Sequence, residues 1–159
     1  MLDLGISPAG TRSADIDGVV LHPGLARLLA YWQAIGVEKR WPSRDDLDPA
    51  DIPSLLGNVH LVDVQHDPLR FRYRLTGTNI TWRLGLDGRG RGPEEIPDPM
   101  IRHRAIETFS RVALTGRPRA SQFDRAIGGV MVRCDCLTLP LSSDQHRVDM
   151  LLIGQFHEP

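Results

Sequence analysis

The sequence predicts an α+β domain in which a five-stranded antiparallel sheet carries helices on one face. Three observations lead there. Two stretches with a period of two stand back to back at 58–65 and 69–76. Three further strand-like stretches close the chain, joined by short turns, and helix-patterned segments fill the space between the two groups. Strands joined by hairpins, with helices gathered in the middle, pack most simply as one sheet and one helical layer.

Each element has its own signal. Residues 1–22 ("MLDLGISPAGTRSADIDGVVLH") mix Gly, Pro, Ser and Asp without a sustained period and read as a flexible arm. A single domain then spans 23–159. Pro23 opens a helix over 24–36, where its missing N–H costs nothing. Leu25, Leu28, Leu29, Trp32 and Ile35 form an apolar stripe that Gly36 ends. Burying one such side chain is worth about 2 kcal/mol. The stripe must therefore be covered, by its own domain or by another subunit, and Leu25, Leu28 and Trp32 are candidate dimerisation residues. In "WPSRDDLDPADIPSLLGN", Asp48 caps a turn opened by Pro49, and Pro53 limits the segment to short turns.

The hairpin follows. Phe71, Tyr73 and Leu75 fall on one face of an extended chain and Arg70, Arg72 and Arg74 on the other, with His66-Asp67-Pro68 as the turn. Thr76-Gly77-Thr78-Asn79 breaks the strand. Residues 77–97 are irregular, with five glycines, two prolines and one or two short helical turns. Asp98-Pro99 repeats the cap-plus-proline signal, and 99–115 reads as a helix with Ile101, Ala105, Thr108, Phe109 and Val112 on one face, closed by Gly116. "RPRASQFDRAI", "GGVMVRCDCLTLPLS" and "VDMLLIGQFH" are the last three strands. Gly128-Gly129 joins the first two as a tight hairpin. Met150–Ile153 is apolar on both faces, which marks the last strand as central.

The totals bound the function. Of 159 residues, 41% are hydrophobic and 25% charged, enough apolar content for a proper core. The net charge of −1 argues against a nucleic-acid module. Between 70 and 91, six arginines face Asp87 alone, a local charge of +5. Solvated arginines on the open face of a sheet explain that strip better than an anionic partner. Cys134 and Cys136, two apart on one strand, are badly placed for a mutual disulfide, so a reducing compartment is expected. The first residues show no signal-peptide pattern, and no apolar run approaches the ~20 residues of a membrane span. These features predict a cytoplasmic protein with no membrane or nucleic-acid partner.

The order of elements, together with "LARLLAYWQAIG", "PSRDDLDPADIPSLL", "RFRYRLTGTNI", "LGLDG" and "LTLPLS", resembles a family of PAS-like proteins common in alphaproteobacteria. The resemblance runs from about Leu25 to Phe156. It implies a PAS-like five-stranded antiparallel sheet with helices packed over one face, in places around a small-molecule cavity, plus the N-terminal helix. It also implies sensing and docking in signalling rather than catalysis. The C-x-C of "RCDCLTLPLS" departs from the family's pattern.

On this reading Thr78–Gly85 leaves the sheet to form a lid. Gly77 supplies a backbone angle barred to other residues, and Asn79 hydrogen-bonds backbone at the corner. Two placements are open to Trp82, over the cavity or in plain core packing. Asn79, Trp82, Ile101, Phe109, Val132 and Cys134 are the candidate pocket residues, as groups of the lid, the long helix and the fourth strand.

Other chemistry finds less support. His103 and Glu107 sit at i, i+4, and Cys134 and Cys136 offer thiolates, but the helical wheel puts His103 on the polar face, so no metal is expected. Small buried hydrophobes are the default reading of strand cysteines. "GLDGRGRG" matches no phosphate-loop pattern, and no nucleophile elbow or metalloprotease motif is present. The leading expectation is a sensory or regulatory module, not an enzyme. It acts by protein–protein contact, with a homodimer and an unknown signalling partner, and is gated by a small apolar ligand; no cofactor is required and none is identified. The alternative is a redox- or metal-dependent sensor or small enzyme built on Cys134/Cys136 and His103/Glu107.

Overall fold

A computed structural model describes residues 5–6, 12–17, 19–84 and 87–158. Its elements are strands β1 (Gly5–Ile6) and β2 (Arg12–Asp15), helix α1 (Pro23–Ile35), strands β3 (Val59–Gln65) and β4 (Arg70–Thr76), helices α2 (Thr78–Leu84) and α3 (Pro99–Thr115), and strands β5 (Arg119–Ile127), β6 (Val130–Leu141) and β7 (Met150–Glu158). Four single 3₁₀ turns lie between them. All strands join one antiparallel sheet in the order β1-β2-β5-β6-β7-β3-β4. The five long strands are the predicted ones, and β7 occupies their centre.

The span read as an irregular arm contains β1 and β2. Arg12–Asp15 pairs with Arg119–Gln122 of β5, and Asp15 lies 3.6 Å from the Arg119 guanidinium. A two-residue edge strand and the four-residue strand beside it are held by their backbone ladders and need no apolar alternation, so their sequence carries no period to read. Residues 1–4, 7–11 and 18 of the arm lie outside the described residues.

Alternation along β3, β6 and β7 divides the core between two faces. The outer face gathers Val59, Leu61, Leu137, Leu139, Leu141, Met150 and Leu152 beneath α1 and the turns carrying Ile52 and Leu55. Leu25 and Leu28 are each 1% exposed. They press on Gly154, where a Cβ would come within 2.6 Å of the Leu25 side chain and 2.8 Å of the Leu28 side chain. The Trp32 indole donates to the Pro140 carbonyl at 2.9 Å. Leu25, Leu28 and Trp32, proposed from sequence for dimerisation, are thus spent on the chain's own sheet; their burial needs no second copy.

The inner face belongs to α3. Phe109, Val112 and Ala113 pack on Val62, Val64, Phe71 and Leu151, with the Phe71 and Phe109 rings 5.6 Å apart at 72°. Asp98 caps the helix by accepting from the Met100 and Ile101 amides at 2.9 and 3.3 Å. Gly116 ends it in the left-handed conformation (φ 69°). There the Trp41 indole donates to the Gly116 carbonyl at 2.9 Å, and a Cβ on Gly116 would collide with the same ring.

Gly77 serves a different purpose from the one expected. Its backbone is not left-handed. A Cβ at that position would stand 2.3 Å from the Gly57 carbonyl oxygen, so the need is for close approach of two chain segments.

Candidate functional site

Where α3 and the 88–98 connection arch away from the sheet, the inner face encloses a cavity of about 420 Å³. The roof is the N-terminal half of α3, whose Ile101, Ala105, Thr108 and Phe109 recur at helical spacing. Every long strand contributes to the floor: His60 from β3, Tyr73 and Thr76 from β4, Ser121, Phe123 and Arg125 from β5, Cys136 and Thr138 from β6, Ile153 and Gln155 from β7. Leu84, Gly88, Arg91, Gly92 and residues 95–98 form the rim.

The rim is fastened down. Tyr73 N–H donates to the Arg91 carbonyl and Gly90 N–H to the Tyr73 carbonyl, both at 2.8 Å, so the connection pairs with the free edge of β4. Two acids at the rim are committed to backbone. Glu95 accepts from the Gly92 amide at 2.9 Å, and Asp98 caps α3 as described. Arg102 donates to the Ile96 carbonyl at 3.1 Å, tying the helix to the segment before it.

A line of neutral polar groups crosses the floor. His60 Nε2 lies 3.2 Å from Gln155 Oε1, and Gln155 Nε2 lies 3.0 Å from His157 Nε2. Burial pushes both imidazoles down to about 4. Each is therefore neutral near pH 7. That fixes the roles: His60 Nε2–H donates to the amide oxygen, and the amide N–H donates to an unprotonated His157 Nε2. His60 Nδ1, then an acceptor, lies 3.4 Å from the Thr76 hydroxyl. Desolvation also raises the Tyr73 phenol and the Cys136 thiol, so neither ionises near neutrality.

Arg125 differs from these groups. Its Nε is buried without a hydrogen-bond partner. No ion pair among the described residues includes it, whereas Arg104 on α3 and Arg133 on β6 hold Glu107 and Glu158 at 3.2 and 2.6 Å. A positive charge is thus presented to the cavity beside an apolar wall.

Of the six pocket residues chosen from sequence, Ile101 and Phe109 line the cavity. Val132 and Cys134 share the inward parity of β6 and are buried, but they lie beyond the cavity's end, and Cys136 takes the lining position. Trp82 is 84% exposed on α2 and covers nothing. Asn79 stays outside, donating to the Asn58 side chain at 2.8 Å rather than to backbone; Asn58 in turn donates to the Gln155 carbonyl at 3.0 Å. The lid's last residue, Gly85, falls outside the described residues. His103 and Glu107 form an exposed pair at 3.8 Å on α3, remote in character from the two buried thiols. Burial pushes Cys134 up to about 12, which keeps it a thiol. Among the described residues no three His, Cys, Asp or Glu side chains group as metal ligands.

Sequence reasoning missed His60, Arg125 and Gln155. The signal was present as polar residues at inward register positions in apolar strands, in "NVHLVDV", "SQFDRAI" and "LLIGQFH".

Comparison with known proteins fits this architecture. A family model described as "PAS domain" matches residues 20–155. The structure is similar to the PAS domain of Bordetella pertussis BvgS, with a TM-score of 0.55 at 17% identity over 69% of this chain and 82% of that one. It is also similar to a light-oxygen-voltage domain studied with a flavin analogue, with a TM-score of 0.54 at 13% identity over 69% and 83%. An RNA-binding light-oxygen-voltage receptor matches 92% of this chain and 38% of its own length, with a TM-score of 0.51 at 13% identity. No curated protein matches. At such identities the neighbours speak for the fold, and the family model speaks for the sequence. The chain belongs to the PAS domain family.

Proposed function

We propose that this chain is a sensory module that binds a small molecule in the inner-face cavity and reports occupancy by contact with another protein. The observation that carries the reading is the cavity itself. Its volume lies within the range of about 300–1,000 Å³ found for small-molecule sites, and a few converging polar groups stand against an apolar wall. The outer face of the same sheet is packed solid, so the space is local and not a general looseness.

The output follows from what borders the cavity. Its rim is the connection paired to the edge of β4, and its roof is α3. A ligand that favours one position of these segments shifts their population and alters the surface a partner meets. A second copy of the chain is one such partner. No helix among the described residues is long and apolar enough to cross a membrane, and we place the protein in the cytoplasm. The redox and metal alternative draws no support from the geometry, since both thiols are buried and protonated and the His103–Glu107 pair faces water.

The test is to purify the protein natively from its own cells, denature it, and identify what is released by mass spectrometry. The expected result is one small molecule near stoichiometric amounts that returns to the refolded protein and perturbs its cavity residues. Release of nothing, with no cavity response to any fraction of the cell extract, would contradict the reading.

A further inference from the structure

We propose that the cavity is built for a small organic monocarboxylate, its carboxylate on the Arg125 guanidinium and its apolar body among Phe109, Phe123 and Ile153. This rests on the reading that the cavity is a ligand site, and adds the ligand's charge and shape.

Four observations converge. First, Arg125 brings a charge to the cavity wall with its Nε buried and unpartnered. A buried donor without a partner is costly unless a ligand completes it, and nearly all buried polar atoms do find partners. Second, neither lining acid pairs with it: Glu95 and Asp98 accept from backbone amides instead. Third, the remaining polar lining groups are neutral donors or acceptors: His60 is held unprotonated and Tyr73 and Cys136 are held protonated by burial. Fourth, the other cations are placed differently, with Arg104 held by Glu107 at 3.2 Å and Arg91 exposed at the rim.

One unpaired cation at the cavity wall matches one negative charge. A carboxylate is planar and accepts two parallel N–H bonds from the guanidinium fork. A phosphate dianion would leave a second charge uncompensated inside an apolar enclosure. Opposite the charge, the aromatic and aliphatic wall suits a ring or a branched chain. The ligand class is therefore an aryl or alicyclic carboxylate of one or two rings, amphipathic rather than purely apolar.

The experiment is a pair of NMR titrations of the whole protein, with phenylacetate and with its neutral isostere phenylacetamide, followed at the cavity amides. Phenylacetate is expected to bind roughly tenfold or more tightly than the amide, as a charge-assisted pair requires. Arg125→Gln should bring the two affinities together, and Arg125→Lys should keep part of the preference. Equal affinities in the unsubstituted protein, or a preference that survives Arg125→Gln, would overturn the anionic class while leaving the cavity a ligand site. Inorganic phosphate competing on equal terms would overturn the choice of carboxylate. If neither compound reaches the cavity, this inference fails, and the ligand-site reading stands or falls by what the natively purified protein releases. The comparison within the unsubstituted protein does not depend on how well any variant folds.

Discussion

The two faces of one sheet make a controlled comparison, because β3, β6 and β7 supply alternate residues to each. On the outer face those residues are Val, Leu and Met, a glycine admits α1 to close range, and Leu25 and Leu28 fill the space completely. The inner face is of two kinds. Toward Gly116 it repeats that packing with Phe71, Phe109, Val112 and Leu151. Toward Asp98 it stops packing and presents His60, Arg125 and Gln155 to a cavity. The same strands thus hold the fold with one set of side chains and leave a vacancy with the other. Close packing and open space are separated by strand parity.

The comparison breaks first at its most packed point. Leu28→Ala should cost about 2–5 kcal/mol, as removal of a fully buried leucine does, read as a lowered denaturation midpoint with unchanged slope. Ile101→Ala at the cavity roof should cost clearly less, because its methyl groups already face open space.

Titration separates the faces next, since none of the fully buried residues of the outer cluster is ionisable. His60 is neutral in the folded protein, at about 4 against 6.5 for the free side chain. Between those values the unfolded chain binds the extra proton. Stability should therefore be full above about pH 6.5 and fall as the pH drops toward 4, by up to about 3 kcal/mol from His60 alone. His157 shifts the same way but is partly exposed and adds less. A His60→Gln variant followed by denaturation across this window should show a flatter profile; an unchanged one would contradict the assignment.

Adding volume sharpens the contrast. Gly154→Leu forces a side chain into Leu25 and Leu28 and should cost about 1–3 kcal/mol or more. Ala105→Phe places comparable volume in the cavity and should change the melting temperature little. Smallest of all, Trp82→Ala should shift stability by no more than about 0.5 kcal/mol, as expected at a surface position away from special features.

Much of the fold was legible because its signals are local. Asp98-Pro99 and Gly116 bracketed α3 at both ends. Gly128-Gly129 marked a hairpin whose two residues have φ of 58° and 80°. Apolar Met150–Ile153 placed β7 at the centre of the long strands. The site was legible only in part, for a physical reason. Periodicity assigns a residue to a face but not to a depth along the strand, so Cys134 and Cys136 were equivalent in sequence although only the second reaches the cavity. A cavity also forms where several elements fail to touch, which no single segment encodes. Trp82 shows the converse: a large aromatic invites burial, yet α2 turns it to water.

The central claim is that the inner-face cavity is a ligand site and not a packing fault. Native mass spectrometry of the natively purified protein beside its Ala105→Phe variant tests it most directly. The account predicts that the unsubstituted chain carries a small molecule released on activation, and that the filled variant, folded and with a similar melting temperature, carries none. Identical spectra from the two proteins would contradict it.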